Sequence, residues 1–236
     1  MINHPWISRF DVILFDFDGL LVDTENVHFQ AYKEALRRRG CALNWSFDTY
    51  IEIMHVSEPS FRREIYAEFP VLQEIEPRWE VIKKEKREIY AELLKSSPLA
   101  FMPGAEPLLK FLIDRHFPHA IVTNSSRKEM ETIAAKLPFL KSVPLWVTRD
   151  DYLKPKPAPD PYLLAVEKMQ LQNKRVVVFE DTLKGIEAAE TADLSSILIC
   201  GISHPQLREK PENLPHFENL IQLQALSSLH TLYKRR

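Results

Sequence analysis

The run Val12-Ile13-Leu14-Phe15 is apolar at every position and stops at once in Asp16-Phe17-Asp18-Gly19. A short strand can be apolar throughout only where both of its faces are covered, so the run predicts a strand inside a parallel sheet. Residues two apart in an extended exit point the same way. Asp16 and Asp18 therefore address one place while Phe17 points elsewhere, and Gly19 lets the backbone turn. Paired carboxylates of this kind hold a hard cation such as Mg²⁺, or divide nucleophilic and acid/base work between them. An isolated Asp-x-Asp-Gly is also an ordinary Asx turn at a strand end. A calcium loop is excluded, because a strand leads in and the twelfth position counted from Asp16 is Val27.

The rest of the chain falls into two patterns. From Glu25 to about Ala100, apolar residues recur at helical spacing: His28, Tyr32, Ala35 and Leu36, closed by Gly40; Phe47, Tyr50, Ile51 and Met54 after Ser46; Phe61, Ile65 and Phe69 after Ser60; Ile82, Ile89 and Leu93. These predict four helices and no strand. After the punctuation of Met102-Pro103-Gly104, strands alternate with helices: strand 119–123, a helix capped by Ser125 or Ser126, strand 144–148, a helix opened by Asp160-Pro161 with Asp160 as its cap, then strands 175–179 and 196–200 and a stretch ending near Leu229. A strand, a helical insertion and four more strands with crossover helices define an α/β fold, a doubly wound parallel sheet with an inserted all-helical cap. The core is 1–24 and 101–236, and the cap is 25–100.

Composition narrows the partners. A hydrophobic content of 45% over 236 residues supports a full core, and a formal charge of −2 without a basic stripe excludes nucleic acid or an anionic membrane as the main partner. Lys83-Lys84-Glu85-Lys86-Arg87-Glu88 reads as a solvated face. No apolar run reaches the ~20 residues of a membrane span, and the N-terminus lacks the regions of a signal peptide, so the expectation is a cytoplasmic protein. Cys41 and Cys200 read as structural thiols, and the oligomeric state stays open, with a monomer compatible.

In an open parallel sheet, ligands bind beyond the carboxyl ends of the strands, where the strand order reverses. The chemistry of this chain gathers at such ends. The first strand exits into Asp16 and Asp18, the second into Thr123-Asn124-Ser125-Ser126, the third leads to Lys154-Pro155-Lys156-Pro157, and the fourth exits into Glu180-Asp181-Thr182. Acids able to hold a cation, hydroxyl and backbone donors, and an ammonium together suit a phosphoryl group. One carboxylate can also attack phosphorus. Each piece alone has a plainer use as a helix cap or a loop lysine; their ordered recurrence at strand ends does not.

DFDGLLVDTE, IVTNS, KPKPAPDPY and VVVFEDTLKGIEAA resemble, in order, the four motifs of the haloacid dehalogenase superfamily of phosphotransferases. The likeness covers nearly the whole chain and lies with the branch that carries a helical cap after its first strand, among small-molecule phosphatases and beta-phosphoglucomutase. The resemblance implies that Asp16 is the nucleophile and Asp18 the general acid/base, a choice that favours phosphate esters over dehalogenation. It implies that Thr123, with backbone groups of Phe17, Asp18 and Asn124, holds the phosphoryl oxygens, and that Lys156, more than Lys154, neutralises charge. Mg²⁺ would be bound by Asp16, Asp181 and the backbone carbonyl of Asp18, with Glu180 acting directly or through water.

The cap, in such proteins, closes over the site and selects the substrate. His28 matches by position a cap histidine of beta-phosphoglucomutase, Arg62 is a candidate contact for an anionic substrate, and Trp45, Phe47, Tyr50 and Trp79 read as the cap's own core. Met54-His55-Val56-Ser57 stands where many relatives have a glycine. The expected activity is a Mg²⁺-dependent phosphatase acting on a small phosphorylated metabolite. The alternatives are a beta-phosphoglucomutase-like phosphotransferase, a phosphorylation-dependent signalling receiver, which has no need of Asp18 or the insertion, and a binding protein that has lost turnover.

Overall fold

The computed structural model describes residues 5–54 and 58–225. Of the sequence features above, the His55-Val56-Ser57 stretch and the approach to Leu229 lie outside them. Six strands form one wholly parallel sheet: β1 (Val12–Phe15), β2 (His119–Val122), β3 (Trp146–Val147), β4 (Val176–Glu180), β5 (Ser195–Ile199) and β6 (His216–Phe217). Their order is β3-β2-β1-β4-β5-β6, so the order reverses at β1, between β2 and β4. The alternation of the strands explains the apolar runs. Val12, Leu14, Ala120, Val122, Val176 and Val178 share one core cluster with Tyr162 and Ala165. Ile13, Phe15, Val177 and Phe179 point the other way, where Phe15 stacks on Phe179 at 5.5 Å and Trp6 meets Phe179 edge-on.

Helices α1 (Glu25–Arg37), α2 (Phe47–Met54), α3 (Glu58–Glu68), α4 (Val71–Ile75) and α5 (Trp79–Ser96) precede α6 (Ala105–Asp114), α7 (Arg127–Lys136), α8 (Asp160–Lys168) and α9 (Leu183–Thr191). The chain divides into two compact units with breaks at Asp23/Thr24 and Pro98/Leu99, and His204–Arg208 groups with the helical one. Within that unit Phe29, Tyr32, Tyr50, Phe61, Ile82 and Trp79 form a buried cluster, with Tyr32 and Phe61 rings 4.7 Å apart. Phe47 is the exception among the aromatics expected there: 39% of it is exposed.

Three local expectations are corrected. The insertion carries five helices among the described residues, because the five-residue α4 is too short to show a period. Strand β3 covers two residues and not 144–148: Pro144 has no N–H to give, and the Thr148 N–H goes to Asp151 Oδ2 at 2.7 Å. Asp160 is the first residue of α8 and not its cap, and it accepts from the Lys154 N–H at 3.2 Å. The end of α1 follows the sequence signal. Gly40, at φ 75°, lets its own N–H reach Arg37 O and that of Cys41 reach Leu36 O, a Schellman closure.

Candidate active site

The reversal at β1 puts the exits of three strands side by side. Asp16 is the first residue past β1 and still joins the ladder, donating its N–H to Phe179 O at 2.9 Å. Gly19, at φ 76°, then turns the chain so that its N–H meets Val22 O. On one side lie Thr123 to Ser126 after β2; on the other, Glu180 ends β4 and Asp181-Thr182 leads into α9.

Lys156 reaches this place from the loop before α8. Its Nζ donates to Asp16 Oδ1 at 2.5 Å, Glu180 Oε1 at 2.6 Å and Val122 O at 2.7 Å, and the lysine is 9% exposed. The Tyr162 ring lies 4.9 Å from the same Nζ. A carboxylate oxygen each of Asp16, Glu180 and Asp181 lie within 4.8 Å of one another. Two of these carboxylates, those of Asp16 and Glu180, thus share one ammonium. Burial, reinforced by Glu180 and only partly offset by Lys156, pushes the Asp16 carboxyl up to about 7. Burial alone would lower the Lys156 ammonium, yet Asp16 and Glu180 outweigh it and hold the group well above the usual lysine value. Burial leads the first shift and the neighbouring carboxylates the second, and the buried acids together hold an excess of negative charge over the Lys156 ammonium.

That excess fits a hard cation with oxygen ligands. Among the described residues Glu180 Oε2 is buried without a hydrogen-bond partner, while its other oxygen has two. The carboxylate also occupies a notch over Gly185, where a Cβ would stand 1.9 Å from its carbon. The chemistry of this donor set therefore fits Mg²⁺.

Asp18 faces another group. Its Oδ2 accepts from the Ser125 hydroxyl at 2.6 Å and the Thr123 hydroxyl at 3.2 Å, and its carboxylate is not part of the acid triad. Thr123 is 1% exposed and also accepts the Ser125 N–H at 3.0 Å. The Asn124 side chain serves the lysine loop: its Oδ1 accepts from the Lys156 N–H at 3.1 Å and the Tyr152 hydroxyl at 2.8 Å. Lys154 is exposed.

Three participants escaped the sequence reading. Tyr162 enters the sequence analysis only as the last residue of KPKPAPDPY, with no role of its own, but its hydroxyl donates to Glu180 Oε1 at 2.5 Å. Ser125 was a rival helix cap; Ser126 caps α7 in a capping box with Glu129, which leaves Ser125 to Asp18. Tyr152 donates to both Thr123 O and Asn124 Oδ1. A tyrosine beside a Lys-Pro loop was the only available signal.

In the helical unit, His28 stacks on Tyr90 at 3.9 Å and its Nδ1 accepts from Lys86 Nζ at 2.5 Å. Burial first and Lys86 second push the imidazole well below its ordinary value, so it is neutral. Lys86 is 9% exposed, which corrects the reading of its charged run as wholly solvated. Arg62 lies 5.6 Å from the Tyr66 ring.

Acids and a buried lysine at the switch point of a parallel sheet define an α/β enzyme that handles an anionic group. Comparison with known proteins narrows the class: residues 13–199 match the model of the haloacid dehalogenase-like hydrolases. A phosphorylated carbohydrates phosphatase of Thermotoga maritima is 29% identical, over 82% of this chain and 86% of its own. Fructose-1-phosphate phosphatase YqaB of Escherichia coli is 30% identical, over 80% and 96%. The crystal structure of CbbY from Rhodobacter sphaeroides in complex with phosphate superimposes with a TM-score of 0.69, covering 94% of this chain and 99% of its own at 22% identity, and so shares the fold. The chain belongs to the haloacid dehalogenase-like hydrolase family.

Proposed function

We propose that this protein is a Mg²⁺-dependent phosphatase of a small phosphorylated metabolite, a sugar phosphate or similar monoester, working through an aspartyl phosphate on Asp16. It is a hydrolase of the haloacid dehalogenase-like family and, as its named phosphatase relatives are, a phosphoric monoester hydrolase. The single observation that carries the finer reading is Lys156 Nζ set between Asp16 Oδ1 and Glu180 Oε1 at 2.5 and 2.6 Å, beside an acid triad. The relatives named for phosphorylated carbohydrates and fructose 1-phosphate favour a sugar phosphate among the monoesters.

Asp16 attacks phosphorus with one carboxylate oxygen, and the bond from phosphorus to the ester oxygen breaks. Asp18 gives its proton to the departing oxygen, then takes a proton from water as that water attacks the aspartyl phosphate, which releases inorganic phosphate and restores both acids. Lys156 keeps Asp16 oriented and balances charge on the phosphoryl oxygens. Ser125 holds Asp18, and the Thr123 hydroxyl, turned from its longer 3.2 Å bond to Asp18, is a donor for those oxygens together with the N–H groups of Phe17, Asp18 and Asn124. Asp16, Glu180 and Asp181, with the backbone carbonyl of Asp18, would hold Mg²⁺; bound there, it supplies the charge that offsets repulsion between the anionic nucleophile and the anionic ester.

The test is phosphate release from a panel of sugar phosphates, polyol phosphates and nucleotides. Release that needs Mg²⁺, stops with a chelator and is absent in Asp16→Asn is the expected result. Wild-type rates in Asp16→Asn would overturn the assignment, and an isomerised sugar phosphate without net release would favour phosphotransfer.

A further inference from the structure

The two oxygens of Glu180 are treated unequally. Oε1 accepts from Lys156 Nζ at 2.6 Å and from the Tyr162 hydroxyl at 2.5 Å. Oε2 is buried without a partner among the described residues, and Glu180 as a whole is 1% exposed. A carboxylate in such a place would ordinarily rotate to share its donors between both oxygens. Two features prevent it. Tyr162 is fully buried on α8, so its hydroxyl comes from a fixed direction, and its ring lies 4.9 Å from the same Lys156 ammonium. Opposite, Thr182 caps α9 by accepting the Gly185 N–H at 3.2 Å, which folds the first turn back onto the end of β4. The Gly185 α-carbon then faces the carboxylate so closely that a Cβ would lie 2.0 Å from Oε2 and 2.1 Å from Oε1.

We propose that Tyr162 and Gly185 are positioning residues for the cation: together they fix Glu180 so that Tyr162 and Lys156 saturate Oε1 and Oε2 stays available as a metal ligand. The proposal rests on the reading of Asp16, Glu180 and Asp181 as a Mg²⁺ site and adds what determines its geometry. Neither residue touches the reacting atoms. Tyr162 acts by the proton it donates, and Gly185 by the side chain it lacks. Partners of this kind commonly change metal affinity by about 10–100-fold when altered, because an unheld ligand must be ordered as the metal binds.

The experiment measures Mn²⁺ and Mg²⁺ affinity by calorimetry on the full chain, without substrate, in wild type, Tyr162→Phe, Gly185→Ala and Glu180→Gln, with thermal unfolding of each. Phenylalanine keeps the ring beside Lys156 and removes only the hydroxyl. Expected are a roughly tenfold weaker Kd in Tyr162→Phe at near wild-type melting temperature, and a loss at least as large in Gly185→Ala. Phosphate release by Tyr162→Phe should need about tenfold more Mg²⁺ for half-maximal rate, with kcat largely recovered at saturating metal, a split that general loosening of the fold does not produce. Wild-type metal affinity in a folded Tyr162→Phe protein overturns the inference even when Glu180→Gln binds weakly. Failure of the wild-type chain to bind either cation instead contradicts the metal site itself. If Gly185→Ala does not fold, Tyr162→Phe alone decides.

Discussion

The Ser125 hydroxyl donates to Asp18 Oδ2 at 2.6 Å, a shorter bond than the 3.2 Å one from Thr123 to the same oxygen. The acid/base candidate is thus held by a residue that the sequence offers as a helix cap. Ser125→Ala removes the shorter of these two bonds. A hydrogen bond to a carboxylate contributes about 1.5–3 kcal/mol, so kcat should fall about tenfold or more and the melting temperature by a few degrees. Steady-state kinetics beside thermal unfolding checks this; an unaltered kcat contradicts it.

Removing the ammonium should damage both catalysis and the fold. Lys156→Met strands Asp16 and Glu180, and breaking one side of a buried ion pair typically costs about 3–5 kcal/mol. With the lysine gone, a cation is the remaining source of positive charge among these acids. The variant should therefore be inactive, unfold at lower temperature than wild type, and regain more stability than wild type when Mg²⁺ is added. Thermal unfolding with and without the metal reads all three once turnover is measured alongside.

Proton and metal compete for Asp16. Burial pushes its carboxyl up to about 7, so at pH 6 the native state holds more of a proton there than an unfolded aspartate, whose ordinary value is 3.8. The native state binds more protons than the unfolded one between the ordinary value of 3.8 and about 7, and this group's contribution to stability falls as pH rises through that window. Binding Mg²⁺ must expel the proton. Affinity should then weaken as pH drops from 8 to 6, approaching about tenfold per unit, with proton release visible as a buffer-dependent heat. A pH-independent affinity contradicts the assignment of Asp16 as a ligand.

His119 gives the fold an opposite dependence. It is 2% exposed at the start of β2, with Nδ1 2.7 Å from Phe117 O and Nε2 without a partner among the described residues. Burial, only partly opposed by the Phe117 carbonyl, depresses its pKa below the ordinary 6.5. The native imidazole stays neutral where an unfolded one is charged, so its contribution is present above 6.5 and is lost as pH falls below that value. Unfolding curves at pH 7 and 5 should converge in His119→Leu relative to wild type.

The strands flanking the switch point were legible because burial on both faces leaves an apolar run, as in Val12–Phe15 and Val176–Phe179. Strand β6 was not: His216–Phe217 has two residues at the sheet edge, each only partly buried, and no pattern survives at that length. The acids and Lys156 stood out by residue type and by their place at strand ends. Tyr162 did not, since a helix-face ring looks the same in sequence whether or not its hydroxyl meets a carboxylate from β4. Ser125 and Ser126 differ only in which one Glu129 selects for the capping box, a choice settled by the turn geometry at the start of α7. The His28–Lys86 contact joins α1 to α5, and a charged run gives no warning that one member is turned inward.

The central claim is a phosphoryl group carried on Asp16. The most direct measurement uses Asp18→Asn, which removes the acid/base and should slow hydrolysis of the intermediate more than its formation from an activated donor such as acetyl phosphate. After incubation with Mg²⁺ and acetyl phosphate, acid quenching and borohydride reduction convert an aspartyl phosphate to homoserine, which peptide mass spectrometry locates. Homoserine at position 16, dependent on donor and metal, is the predicted result. Its absence at 16, or its appearance at another acid instead, would contradict the account.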